Sequence, residues 1–283
     1  MTLRRLVLDC SWGPLSVVGG SRAGEGTLIL LPQLRLALDP GRTHRALSPM
    51  NTVVLSHGHM DHLAGLGYWA SQRTLNSMGP AELLAPRSIA SGVEDLLTRF
   101  AELEGGDPYQ VRVVPVTDGD RHRIRSDVEL VFFTTDHWVP TLGTRVVWTK
   151  HRLRSDLAGL PGSEIARRRQ AGEEVSEERR ISLLSYCADS GPGLLERDPS
   201  ALGSEIVLLE CSFFRAVDRD RAERYGHLHL DDLMEVVGDL SCRHLILLHA
   251  SRRHRLREVE QILDERVRPR FDGELHHLIV DWE

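Results

Sequence analysis

The run Val53-Val54-Leu55-Ser56 leads straight into His57-Gly58-His59-Met60-Asp61-His62, and no other stretch of the chain restricts its fold so narrowly. A short run rich in Val and Leu predicts a buried strand, so the polar string that follows emerges at a strand end. Side chains alternate along an extended segment, which lets His57 and His59 point the same way. Asp61 and His62 then fall where the chain turns into the next helix, within reach of a neighbouring ion. Imidazole and carboxylate together are the ligand set of zinc or a similar borderline cation. The string is a metal site, and one string cannot complete the coordination of two ions. The rest of the chain must therefore fold so that further ligands arrive at this strand end.

Short apolar runs recur at Leu6–Leu8, Gly26–Leu31, Leu34–Leu38, Val53–Leu55, Val111–Val116, Val128–Phe133, Thr144–Thr149, Leu183–Cys187, Ile206–Leu209, Leu245–Leu248 and Leu275–Val280. They read as strands. Helical patterns lie at Ser88–Leu103, Gly162–Ala171, Leu230–Leu240 and Arg255–Glu265. This order predicts a single α/β domain over residues 1–283, with two central sheets covered by helices. Residues 150–180 are the most polar interval, dense in Arg and Glu, and read either as a solvated surface excursion or as an arm that contacts substrate.

A chain of 283 residues buries an ample core. Its 35 basic and 41 acidic residues give a formal charge of −6, which argues against a molecule coated in positive charge but allows a local basic patch. Lys150 is the only lysine. A genome rich in G and C produces that bias, and so does selection for the bidentate grip of arginine on phosphate. Cys10, Cys187, Cys211 and Cys242 are scattered without a C-x-x-C pair, as expected of free thiols in a reducing compartment. The apolar residues after Arg5 are too few for a signal-peptide core and no stretch approaches a membrane span, so the expectation is a soluble cytoplasmic protein.

Three downstream strand ends carry the right residue types. His137 follows Phe132-Phe133-Thr134-Thr135-Asp136, Asp189 follows Tyr186-Cys187-Ala188, and His249 follows Leu247-Leu248. Ligand counting assigns His57, His59 and His137 to one ion and Asp61, His62 and His249 to the other, with Asp189 bridging them. Two divalent ions about 3.5–4 Å apart hold a hydroxide between them and clamp the attacking and leaving oxygens of a displacement. His227, in Tyr225-Gly226-His227-Leu228-His229, sits where a loop enters a helix and competes with His229 for a functional role. Asp39 ends the Leu34–Leu38 run ahead of Pro40-Gly41, where it either caps the turn or supports the ligands from behind. His44, His122, His151, His244, His254, His276 and His277 read as surface or helix-flanking residues. Trp138, beside a ligand, is the one tryptophan placed to line a pocket.

Together these residues resemble the metallo-β-lactamase fold superfamily, and within it the tRNA 3′-processing endonucleases, ribonuclease Z or tRNase Z. The resemblance runs from Leu36-Ala37-Leu38-Asp39-Pro40-Gly41 through the histidine string, Thr135-Asp136-His137, Ala188-Asp189-Ser190 and Gly226-His227 to His249-Ala250-Ser251. Leu160-Pro161-Gly162-Ser163-Glu164 and Gly172-Glu173-Glu174-Val175 are most similar to the short plant-type branch. The resemblance implies a four-layer αββα sandwich with metals at one rim. It also implies hydrolysis of a phosphodiester that leaves a 3′-hydroxyl on the tRNA and a 5′-phosphate on the trailer. His227 matches the catalytic histidine, implied to protonate the departing ribose oxygen. Asp61 matches the aspartate implied to accept a proton from the attacking water. A homodimer is implied as well. The chain departs from the family in lacking a Gly-Pro-rich arm between His137 and Asp189, in Ser190 where a threonine is usual, and in Leu228-His229 where a Ser-Thr pair is frequent.

The expected cofactors are two divalent ions, Zn2+ first, with Mn2+ or Fe2+ able to bind similar sets. The expected partner is precursor tRNA, with Arg252, Arg253, Arg255, Arg152 and Arg154 available to phosphate. The competing expectation is a hydrolase of a small ester, thioester, lactone or cyclic phosphodiester on the same scaffold, since fold alone does not choose between them. A metal-binding adaptor without activity is disfavoured by the intact ligand set.

Overall fold

The computed structural model describes residues 3–197 and 199–282. The first half of the chain makes one seven-stranded sheet in chain order. β1 (Arg4–Cys10), β2 (Gly13–Arg22), β3 (Gly26–Leu31) and β4 (Leu36–Leu38) form an antiparallel meander. β5 (Thr52–Val54), β6 (Ala81–Pro86) and β7 (Val111–Val116) extend it in parallel. The second half repeats the plan. β8 (Arg121–Arg125), β9 (Val128–Thr134), β10 (Leu142–Leu153) and β11 (Ser176–Tyr186) are antiparallel, and β12 (Ile206–Glu210), β13 (His244–Leu248) and β14 (Glu274–His277) follow in parallel.

Between the strands lie α1 (Met60–Leu63), α2 (Leu66–Leu75), α3 (Arg87–Leu103), α4 (Gly162–Gln170), α5 (Gly193–Arg197), α6 (Arg219–Tyr225), α7 (Leu230–Val236) and α8 (Leu256–Ile262). The period-two alternation of the strands sorts the core into layers. On β3, Ile29 and Leu31 face the opposite sheet, where they share a cluster with Leu130, Phe132, Ile206 and Leu208. Leu28 and Leu30 face outward and pack with Leu66 and Trp69 of α2 and Val93 and Leu97 of α3. On the other side, Val207, Leu209, Leu245 and Leu247 face Leu230 and Leu233 of α7 and Val259 of α8. Strands buried on both faces read as unbroken apolar runs, which is why β12 and β13 were legible as IVLL and LILL. The architecture is the αββα sandwich.

Several expected boundaries shift. Leu34 belongs to a 3₁₀ turn, Pro32–Leu34, and only Leu36–Leu38 pairs as a strand. The last predicted strand ends at His277, although Ile279 still bridges to Ser21. The predicted Leu230–Leu240 helix is α-helical to Val236 and closes in a 3₁₀ turn. The polar interval is a hairpin: β10 and β11 continue past the sheet in register, Lys150 opposite Arg179 and Arg152 opposite Glu177, and α4 lies at their tip. No helix among the described residues is long and apolar enough to cross a membrane.

The parallel halves decide where chemistry can sit. β4 and β5 in one sheet and β11, β12 and β13 in the other all end at the same rim. Loops leaving the carboxyl ends of neighbouring parallel strands converge, which makes that rim a natural site.

Candidate metal centre

Each strand end at this rim delivers one or more functional groups. β5 delivers His57 and His59, and α1 carries Asp61 and His62 in its single turn. The loop after β9 delivers His137, and the ends of β11 and β13 deliver Asp189 and His249. The structure brings all seven together. Donor atoms of His57, His59, His137 and Asp189 lie within 4.8 Å of one another, and so do those of Asp61, His62 and His249. Asp189 faces both groups: its Oδ2 is 3.7 Å from His57 Nε2 and 3.4 Å from His62 Nε2, while Oδ1 is 3.4 Å from His249 Nε2. The backbone accepts strain to achieve this. Ala188 and His249 sit in the left-handed region at φ 51° and 61°, as does Asp39 at 51°, a conformation that non-glycine residues hold only when the surroundings enforce it.

For His57, His62 and His137 the second ring nitrogen shows which atom faces the centre. His62 Nδ1 donates to Asp39 Oδ2 at 2.8 Å. His137 Nδ1 donates to the Gly226 carbonyl at 2.9 Å. The Ser56 hydroxyl donates to Asp39 Oδ2 at 2.6 Å and so is left to accept from His57 Nδ1 at 2.9 Å. With Nδ1 so engaged, Nε2 is the atom that each of these rings turns to the centre, the arrangement in which outer partners orient a ligating histidine. Among the described residues His137 Nε2 has no hydrogen-bond partner although it is buried, and an orphaned buried acceptor is costly unless something binds it. Asp39 is the hub behind the ligands. Besides His62 and the Ser56 hydroxyl it accepts from Ser56 N–H at 2.7 Å and the Tyr186 hydroxyl at 2.5 Å, which settles its role as support rather than turn cap.

Charge follows the same logic. Burial holds the imidazoles of His57, His59 and His137 below their ordinary range, so they stay neutral. Burial alone would also lower His62, but Asp189 and Asp39 outweigh it and hold that ring well above the ordinary value. Burial raises the Asp189 carboxyl, yet His249 and His62 pull it far below its usual range. Asp61 behaves likewise, depressed against its burial by His249 and His62. Asp39, Asp61 and Asp189 face the neutral rings of His57, His59 and His137 and draw positive charge onto His62, and a divalent cation supplies that charge with the donor types present.

His227 also stands at the rim, its ring 5.2 Å from those of His137 and His249. Its Nδ1 lies 2.7 Å from Glu210 Oε1. Burial would depress His227, but the Glu210 carboxylate raises it to about 9. Glu210 is the functional residue that sequence reasoning missed. It ends β12 beside Leu248 of β13, so the strand-end rule that found Asp189 and His249 applies to it equally. His229 has another duty: it caps α7, accepting from Asp231 N–H while Asp232 accepts from its own N–H. Two histidines expected at the surface, His244 and His254, are buried. Trp138 and Met60 are exposed, at 67% and 68%, and the Trp138 ring lies 5.9 Å from that of His59. Arg252, Arg253 and Arg255 are exposed beyond His249, with Arg252 paired to Glu25 at 3.3 Å, and Arg154 is tied to Asp156.

The sequence profile of the Beta-lactamase superfamily domain matches residues 4–250, and the chain belongs to that superfamily. Superfamily and donor set together define a metal-dependent hydrolase. The chain is 29% identical to tRNase Z TRZ1 of Arabidopsis thaliana over 86% of its own length and 88% of that protein. It is 31% identical to a nuclear ribonuclease Z of Triticum aestivum, matching 56% of this chain and 90% of that one. The crystal structure of human tRNase Z, short form, superposes with a TM-score of 0.53 at 16% identity, covering 98% and 96% of the two chains. Within the superfamily this chain belongs to the ribonuclease Z family.

Proposed function

We propose that this protein is an endoribonuclease that removes the 3′ trailer of precursor tRNA, with His57, His59 and His137 holding one divalent ion, Asp61, His62 and His249 the other, and Asp189 shared. Zinc is the ion that the His-rich donor set favours. When bound, two such ions polarise a phosphoryl oxygen and lower the pKa of water at the centre. Asp61, at the open side of the cluster, takes up the proton of the attacking water. His227 Nε2 hands a proton to the 3′-oxygen as its bond to phosphorus breaks, leaving a 3′-hydroxyl on the tRNA and a 5′-phosphate on the trailer. Glu210 keeps His227 charged for that step.

The observation that carries this reading is the His227–Glu210 pair at 2.7 Å beside the metal cluster. An alkoxide is a poor leaving group and needs a proton, whereas activated acyl substrates do not. The relatives named tRNase Z and ribonuclease Z supply the substrate class. The β10–β11 hairpin and the exposed arginines after His249 serve as contacts for the RNA backbone, the active form is a homodimer, and the compartment is the cytoplasm. The test is cleavage of precursor tRNA by the zinc-loaded protein, with the His227→Ala variant alongside. Cleavage is expected after the discriminator base and should fall about 10²–10⁴-fold in the variant, with metal content unchanged. Hydrolysis of bis(p-nitrophenyl) phosphate without any cleavage of precursor tRNA overturns the substrate. Full tRNA cleavage by His227→Ala overturns the acid.

A further inference from the structure

The opposite rim of the second sheet carries another set of donors, away from the catalytic centre. In the parallel register His244, first residue of β13, stands beside Glu274, first residue of β14. Glu274 and His276 are two apart on one strand and so share a face. The three side chains meet there. His244 Nδ1 is 3.3 Å from His276 Nε2 and 3.6 Å from Glu274 Oε2, and that carboxylate oxygen is 3.7 Å from His276 Nε2. Around an ion 2.0–2.1 Å from each ligand, tetrahedral corners lie about 3.3 Å apart, close to this triangle.

The proton positions agree with a cation. His244 is buried, and its Nε2 lies 3.0 Å from the Asp9 carbonyl oxygen of β1. A carbonyl can only accept, so Nε2 carries the hydrogen and Nδ1 presents its lone pair to the cluster. This is the carbonyl–histidine–metal relation that orients ligating imidazoles elsewhere. Burial, with His244 next, holds the His276 imidazole below its ordinary value. Arg268, the neighbouring cation, is engaged by Asp264 at 3.0 Å. A simple hydrogen bond between the two rings would account for their separation but not for a carboxylate oxygen nearly equidistant from both nitrogens.

We propose that His244, Glu274 and His276 form a separate zinc-binding site that ties β13 and β14 to the edge strand β1 of the first sheet. Three protein donors leave a fourth position for water. His276 and Glu274 have side chains 21% and 60% exposed, so the ion enters from solvent. Bound zinc stabilises the rim in proportion to its free concentration, because only the folded chain assembles the triangle.

Glu274→Gln and His276→Asn test this with little risk to folding, since both side chains reach the surface. Wild type and both variants are equilibrated with buffered micromolar Zn2+ and their metal content is measured. Each variant is expected to hold one zinc per chain fewer than wild type, and to lose part of the rise in melting temperature that zinc gives the wild-type protein. Equal zinc content in all three chains overturns the site. This readout involves no substrate, so it stands whatever the catalytic centre cleaves. If either variant loses more than one ion, the residues feed the catalytic centre, and the claim of an independent site fails.

Discussion

A neutral imidazole has one lone pair and one hydrogen, and a fixed acceptor for the hydrogen decides where the lone pair points. Asp39, Ser56 and the Gly226 carbonyl make that decision for His62, His57 and His137. Glu210 makes the opposite use of the same rule. Its charge at 2.7 Å raises His227 to about 9, keeping a second proton on the ring at neutral pH. In the acid role proposed for it, His227 works only while protonated, so activity is expected to fall as pH rises through the His227 value. Glu210→Gln removes the carboxylate charge and leaves burial to dominate, which lowers that value. The alkaline limb of kcat/KM should therefore move down by at least about one pH unit, with zinc content preserved. A pH–rate profile in which the variant keeps the wild-type alkaline limb removes Glu210 from the mechanism.

At the level of elements, the centre depends on how closely the turn after β4 approaches α1. A Cβ built on Gly41 would lie 1.8 Å from the Asp61 carbonyl oxygen and 2.9 Å from the backbone of Thr27. Backbone cannot yield as a flexible side chain does, so Gly41→Ala must displace α1, which carries Asp61 and His62. The expected cost is the upper end of the usual 1–3 kcal/mol overpacking range, about 3 kcal/mol, read by denaturant unfolding, together with weakened metal binding. Unchanged stability and metal content in Gly41→Ala would refute this packing account. Such contacts also explain what could be read in the chain. β3, β7 and α3 were legible because their patterns are local: GTLILL, VRVVPV and a 3.6-period face bearing Ala90, Val93 and Leu97. β2 was not, because Gly19 and Gly20 interrupt it. Their missing side chains make room for the Leu28 carbonyl and for Val280 and Trp282, the latter from the far end of the chain. β8, Arg-His-Arg-Ile-Arg, is an edge strand with one apolar residue. α2 buries Arg73 by letting it donate to the Ser48, Met50 and Gly79 carbonyls, which blurs its apolar face. The candidate ligands were visible because strand ends expose residue type, but the hydrogen bonds that orient His62 and His137 come from Asp39 and the Gly226 carbonyl, distant in sequence from the rings they hold.

Over the whole molecule, the two halves of the chain build one sheet each, and the metal centre draws on both. His57, His59, Asp61 and His62 follow strands of the first sheet, while His137, Asp189 and His249 follow strands of the second. The interior cluster already joins the sheets by apolar contact, so the fold does not require ions to form its sandwich. The rim is different: the carboxylates and orphaned imidazole there are poorly compensated without a cation, and unfolding scatters the ligands of both halves. Ions that bind only the assembled rim stabilise it by about 2.7 kcal/mol each at a hundredfold excess over their dissociation constant. For a chain of this size that corresponds to about 5 °C or more in melting temperature. Chelation followed by zinc restoration should therefore lower and then recover Tm by at least that amount, measured in the Glu274→Gln background so that the distal rim contributes nothing. Asp189→Ala, which removes a carboxylate that faces both donor groups, should abolish most of the zinc-dependent recovery. A melting temperature indifferent to chelation in the Glu274→Gln protein would mean that the two sheets meet at this rim without any ion between their ligands.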